Sequence, residues 1–343
     1  MKNIKMGMIG LGSIAQKAYL PILTKSERFE FVGAFTPNKV KREKICSDYR
    51  IMPFDSIESL AKKCDCIFLH SSTETHYEII KILLNLGVHV YVDKPLASTV
   101  SQGEELIELS TKKNLNLMVG FNRRFCPMYK EIKNNATEIV SINICKHGLN
   151  SLRNVRFDST LIDDYIHVID TALWLANEDV EISGEDLFLT DNKNLIFVSH
   201  KLKGKNFSIN TSMHRDSGTK LEQVEILSKG KIQRVKNLNV LEIEEGGNLT
   251  LKQSGAWVNI LKQKGFEDIS NHFIDCIENN IKPAINGEEC IKLKITRENY
   301  KFSKIDIYYK NRLKMNFSNL FLYKTISFIL KSITTTLNLL YSH

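Results

Sequence analysis

The chain has 343 residues, 43% hydrophobic and 25% charged, ordinary globular usage that excludes wholesale disorder and a membrane bundle. At this length a single core usually stops growing, so two domains are expected. The net charge of +8 sits in residues 291–343, where ten Lys or Arg meet two acids, while the rest carries 37 of each sign; no nucleic-acid surface is expected on the main body.

Residues 4–9 are a short apolar run, followed by Gly10-Leu-Gly12-Ser13-Ile14-Ala15 and a helix-like stretch to Leu23. In such a strand, glycine turn and helix, the first Gly permits the tight turn and the second lets backbone approach a pyrophosphate. The small third residue lets helix pack on strand. A second strand over 29–35 ends at Thr36-Pro-Asn38, where an Asp or Glu would hold the ribose hydroxyls of NAD. No carboxylate stands there. Thr36 and Asn38 can donate hydrogen bonds, and Lys39, Lys41 and Arg42 follow, so NADP is expected over NAD; these three cations also fit the solvated face of the next helix. Strands are further expected over 66–70 and 88–92, after helices over 56–63 and 76–86. The βαβαβαβ order implies a parallel sheet with ligands beyond the carboxyl ends of its strands. Ser71-Ser72-Thr73 and Asp93-Lys94-Pro95 follow two of those ends.

These segments, with His76 and Gly120-Phe-Asn122-Arg123-Arg124-Phe125, resemble the glucose-fructose oxidoreductase, inositol dehydrogenase and rhizopine-catabolism family (Gfo/Idh/MocA) along about 290 residues. His70-Ser-Ser-Thr73, Val92-Asp-Lys-Pro-Leu96 and Leu161-Ile-Asp-Asp-Tyr-Ile-His167 look most like its MviM-type branch, named for virulence-associated oxidoreductases. The resemblance implies a Rossmann domain over 1–122 and an α+β substrate and oligomerisation domain with an open, mainly antiparallel sheet over 123–290. It implies that Gly10, Gly12, Ser13, Ile14 and Ala15 bind the cofactor with Thr36, Asn38 and Arg42. Ser71, Ser72, Thr73, His76, Asp93, Lys94 and Asn122 would complete that site. Asp93 replaces the commoner Glu of the family, and Ser72 and Thr73 stand where many relatives carry Pro and Asn.

Beyond Phe125, strand-like runs at 138–146, 195–200, 207–214, 222–227 and 232–235 with short connections suggest an antiparallel sheet. A helix over 161–176 carries Asp163, Asp164, His167 and Asp170; three- and four-residue spacing puts a carboxylate beside the His167 imidazole on one face. Such a neighbour raises imidazole basicity and suits a group that moves a hydroxyl proton. The family's D-x-x-x-H element corresponds to Asp163 and His167, and its E-K-P lysine to Lys94. His167 is then the expected general acid/base, Asp163 its orienting partner and Lys94 the donor to the reacting oxygen. Lys94, Arg123, Lys146, Tyr165 and His167 are the expected substrate residues. His214 and Arg215 are weaker candidates, and Lys146 and His214 fit solvent-facing strand positions equally well. Several basic groups suit an acidic or phosphorylated sugar.

Seven scattered cysteines lack paired or zinc-ligand spacing, so reduced thiols and no metal site are expected. The start of the chain reads directly into a strand without a secretory signal, which suggests the cytoplasm. Residues 291–343 form a basic, atypical tail. Apolar residues from Leu322 to Leu340 recur at helical spacing, which fits weak contact with a membrane surface or, more simply, an unstructured extension. The expected activity is NAD(P)-dependent hydride transfer at a carbon of a sugar, cyclitol or related polyol by a homo-oligomer. A non-catalytic dinucleotide sensor or assembly partner of the same fold is the alternative.

Overall fold

The apolar runs near the N-terminus have the composition of strands covered on both faces, and the computed structural model, which describes residues 3–286, arranges them so. Strands β1 (Lys5–Ile9), β2 (Glu30–Phe35), β3 (Met52–Pro53), β4 (Cys66–Leu69), β5 (His89–Val92) and β6 (Leu117–Val119) form one sheet in the order β3-β2-β1-β4-β5-β6. All five pairings are parallel. Every residue of β4 is buried, so crossover segments must cover both sides.

Those crossovers include helices Lys39–Tyr49, Thr73–Asn85 and Val100–Lys112. Asn38 caps the first by accepting from Lys41 N at 2.9 Å. Thr99 and Gln102 close a reciprocal capping box on the third. The chain leaves β1 toward β2 on one side and returns to β4 on the other, so a crevice opens beyond the carboxyl ends of β1 and β4.

The second sheet has eight strands, β7 (Ile139–His147), β8 (Glu181–Leu189), β9 (Leu195–Lys203), β10 (Ser208–His214), β11 (Leu221–Ser228), β12 (Lys231–Lys236), β13 (Val240–Glu245) and β14 (Asn248–Gln253). Their order is β14-β13-β12-β11-β7-β10-β9-β8. Every pairing is antiparallel except β7 with β10, so the expected α/β chain with a mainly antiparallel second sheet is what the fold contains. Period-two alternation sorts its faces. Ile142 and Ile144, Ile209 and Met213, and Val224 and Ile226 are buried. The intervening positions make a polar ladder in which Asn210 donates to Asn143 and Asn143 to Glu225. Helix Ile166–Ala176 packs on β7 and β10.

Helix Phe266–Glu278 falls by sequence in the expected 123–290 segment but packs on the first sheet. Phe273 meets Phe68 and Tyr91 edge-on at 5.5 and 5.7 Å, and Phe266 meets Tyr19 at 5.4 Å. Arg28 binds Asp275 and Glu278 on its surface side. The following segment reaches β6, where Ile285 O accepts from Val119 N. Residues 287–343, which hold the basic tail and the proposed amphipathic pattern, lie outside the described residues.

Candidate active site

The glycine turn sits at the carboxyl end of β1. Gly10 has a φ of +89°, and a Cβ there would lie 2.5 Å from the backbone of His70 and Ser71, so only glycine lets β1 and β4 end this close together. At Gly12 the nearest atom to a Cβ would be His70 O at 3.9 Å. That added methyl would instead fill the approach above the turn, the space a dinucleotide pyrophosphate needs. Ser13 is exposed, Ile14 half-buried and Ala15 fully buried against the core. This cradle fits the cofactor that the sequence implies.

Around it the candidate residues divide into those that face the crevice and those that hold its walls. Ser72 is exposed and makes no side-chain cap bond to the helix it begins; Thr73 opens that helix, and Ser71 Oγ accepts from Thr75. His76 is buried, its ring nitrogens 2.9 and 3.2 Å from the carbonyls of Pro95 and Ser71, so it ties two loops together. Asn122 is buried and donates to Lys264 O at 2.7 Å.

Arg42 departs from its expected part. Its side chain is 7% exposed and donates to Thr36 O at 3.0 Å and Asp55 Oδ1 at 2.6 Å, which braces the loop after β2. The exposed cations beside that loop are Lys39 and Lys41.

Lys94 follows β5 and points across the crevice to the second domain. Its Nζ donates to Asp163 Oδ1 at 2.8 Å and to Asp163 O at 2.6 Å. Asp163 Oδ2 accepts from Arg153 at 2.6 Å. Burial raises the Asp163 carboxyl, but Lys94 and Arg153 together hold it below the usual carboxylate range. Behind Lys94, burial pushes Asp93 up to about 6, against the opposing pull of Lys94; Asp93 Oδ1 accepts from Lys94 N at 2.9 Å.

The expected Asp163–His167 pair is not formed. Residues Leu161–Tyr165 are a π-helical turn, in which Ile166 N bonds back to Leu161 O, set between the α-helical turn Phe157–Thr160 and the α-helix Ile166–Ala176. The wider turn removes the four-residue alignment assumed for a uniform α-helix, and Asp163 turns to Lys94 and Arg153. His167 is half-buried at the start of the α-helix, and its Nδ1 is buried without a hydrogen-bond partner. Burial, then the charges of Lys146, Lys94 and Arg123, hold its pKa well below the ordinary imidazole value. The ring is therefore neutral near pH 7.

Tyr165 is also corrected. It is 1% exposed and its hydroxyl bonds His200 Nδ1 at 2.9 Å and Thr211 Oγ1 at 2.7 Å, because that side of the turn faces the inner sheet. It belongs to the core. His214 lies among outward positions, its ring 6.2 Å from that of Phe197.

Lys146 instead continues the inward row of Ile142 and Ile144, opposite Glu222 on β11. Glu222 accepts from Arg123 Nε at 2.5 Å and Nη2 at 3.0 Å. Asp164 accepts from Arg215 at 2.8 Å. Sequence reasoning missed Arg153, which stands in a loop without a local signal. It also missed Glu222, whose signal was a carboxylate in phase with the inward Val224 and Ile226.

The polar contacts join both domains in one crevice: an open approach over a glycine turn, a lysine reaching from the first domain and a neutral imidazole in the second. Residues 4–121 match the model of the oxidoreductase family with an NAD-binding Rossmann fold, and residues 127–246 match the YceM-like C-terminal domain. The chain belongs to the Gfo/Idh/MocA oxidoreductase family, and it is an enzyme of the MviM-like type. It is similar to the protein YceM of Salmonella typhimurium, with 40% identity over 293 residues, 85% of this chain and 95% of that protein. It is also similar to a crystal structure of the dehydrogenase MviM from Clostridium difficile, with 98% identity and a TM-score of 0.85, covering 87% of this chain and 99% of that one. Myo-inositol 2-dehydrogenase of Thermotoga maritima shares 23% identity over 244 residues, 66% of this chain and 73% of that protein.

Proposed function

We propose that this oxidoreductase transfers a hydride between a nicotinamide cofactor and a carbinol carbon of a sugar, cyclitol or related small polyol. The observation that carries the reading is the convergence of Lys94 and neutral His167 beside the crevice above Gly10 and Gly12. When bound, the nicotinamide supplies the hydride donor or acceptor. Gly10, Gly12, Ser13 and Ile14 would present backbone to the phosphates of the dinucleotide, while Ala15 seats the helix. Ser71, Ser72 and Thr73 line the next strand end. His76, Asp93 and Asn122 position these walls.

In the oxidative direction, His167 takes the proton that leaves the hydroxyl, and in the reductive direction it returns one. Lys94 Nζ donates to the same oxygen and stabilises the charge that develops there. Asp163 positions Lys94 through the two bonds to its ammonium. Thr36, Asn38, Lys39 and Lys41, with no carboxylate among them, favour NADP over NAD. The protein works on this reading in the cytoplasm, as a homo-oligomer through the polar face of the second sheet.

The test is titration of the protein with NADPH and NADH by nicotinamide fluorescence, followed by Lys94→Ala and His167→Ala. Tighter NADPH binding is expected. Each variant should retain cofactor affinity and lose kcat/KM by about 10²- to 10⁴-fold. Unchanged turnover in both variants, or no binding of either cofactor, sinks the proposal.

A further inference from the structure

The inner face of the second sheet is mainly apolar, with Thr211, His200 and Gln233 buried in it, and at the crevice it turns cationic on two neighbouring strands. On β7 the row Ile142, Ile144 ends in Lys146; past β10 the row Ile209, Thr211, Met213 ends in Arg215. Five cations gather at this end: Lys94, Arg123, Lys146, Arg153 and Arg215. The carboxylates that pair with them are Asp163, Asp164 and Glu222. Asp93, behind Lys94, leaves a cationic surplus even when ionised.

The surplus is localised. Arg215, Arg153 and Lys94 each donate to a carboxylate within hydrogen-bond distance. Lys146 does not: its Nζ is 3.6 Å from Asp164 Oδ1, beyond a hydrogen bond, on a side chain only 24% exposed. Burial, then Arg123, push its ammonium below the usual lysine range, with Asp164 opposing. Arg123 spends Nε and Nη2 on Glu222 and leaves Nη1 without a partner among the described residues. A half-buried ammonium without an acceptor, among like charges, costs stability unless something anionic completes it. The cofactor phosphates belong at the glycine turn on the other domain.

We propose that the substrate carries an oxyanion group, a carboxylate or a phosphate, held by Lys146 and the open end of Arg123 close to the hydroxyl that Lys94 and His167 handle. This rests on the function proposed above and narrows its substrate class to acidic polyols. An anion there also offsets two of the charges that keep His167 neutral, so its arrival raises the basicity of the group that must take the proton.

The experiment titrates the cofactor-saturated full chain with matched sets, glucose against glucuronate and glucose 6-phosphate, and myo-inositol against its monophosphate, read by nicotinamide fluorescence. One anionic series should bind at least about tenfold tighter than its neutral parents, as a gained charge-assisted hydrogen bond implies. Preference for the uronate identifies a carboxylate, and preference for the phosphates identifies a phosphate. Lys146→Gln should erase the margin by weakening the anion alone, and Lys146→Arg should keep most of it; melting temperature and cofactor titration verify that both variants fold. Neutral parents binding as well as the anions, no sugar or cyclitol binding at all, or a margin that survives Lys146→Gln overturns the inference. Absence of cofactor binding removes the oxidoreductase mechanism itself, whereas cofactor binding without anion preference removes only this narrowing.

Discussion

Gly10 couples two strand ends, because the backbone of His70 and Ser71 occupies the space of any Cβ at a φ of +89°. Gly10→Ala is expected to lower stability by about 1–3 kcal/mol and to weaken nicotinamide binding; urea melts and a fluorescence titration read the two effects, and unaltered cofactor affinity would count against the turn as the phosphate cradle. On the proposed mechanism Asp163 acts through Lys94, to which it is hydrogen-bonded, so Asp163→Asn should reduce kcat about tenfold, the worth of one charge-assisted bond, while cofactor affinity and KM move little. A KM effect that dominates kcat would place Asp163 in substrate binding instead. The glycine turn was legible because a strand, a small-residue turn and a helix make a local pattern; Lys94 and His167 were expected from the family resemblance. The partner of Asp163 was not, since helical spacing pointed to His167 and the choice of Lys94 and Arg153 depends on chain segments 69 and 10 residues away.

The π-helical turn at Leu161–Tyr165 illustrates how an element can be placed correctly in the chain and still be wrong in register. Apolar spacing supports a helix over 161–176, and one follows there, yet one widened turn redirects Asp163 and buries Tyr165. The helix is anchored by Asp170, 0% exposed, whose carboxylate takes three bonds from Arg124 on the 3-10 turn Asn122–Phe125. Asp170→Ala leaves the Arg124 charge buried and should cost about 3–5 kcal/mol in urea unfolding; a loss under 1 kcal/mol would mean that the pair contributes little. Strands β8, β13 and β14 escaped the sequence reading for a physical reason. β14 is exposed at every position, and β8 alternates only between exposed and half-buried positions, so neither has a fully buried face. Helix Val100–Lys112 did carry a readable signal, the Thr99 and Gln102 box.

Buried imidazoles set how the folded protein responds to acid. An unfolded histidine titrates near pH 6.5; burial pushes His70 down to about 3 and His200, against the pull of Asp186, to about 4. Between these values and 6.5 the unfolded chain binds protons that the folded one refuses, so stability present above pH 6.5 is lost as pH falls. Each contributes about 2 kcal/mol of loss at pH 5 on this linkage. Asp93, raised by burial to about 6, works in the opposite sense and offsets part of it. The melting temperature should therefore be several degrees lower at pH 5 than at pH 7.5, and an equal or higher value would contradict the buried neutral state of these rings. Local order in the chain was enough to indicate the parallel sheet and its glycine turn, because turn chemistry and the succession of strand and helix runs act over a few residues; Lys94 and His167 were singled out by the family resemblance. Tertiary packing alone decided that Phe266–Glu278 closes on the first sheet, that Arg42 and Tyr165 become structural, and that Lys146 meets Arg123 at the crevice. Those outcomes depend on which distant groups compete for the same buried space and the same carboxylates, and spacing along a chain does not encode that competition.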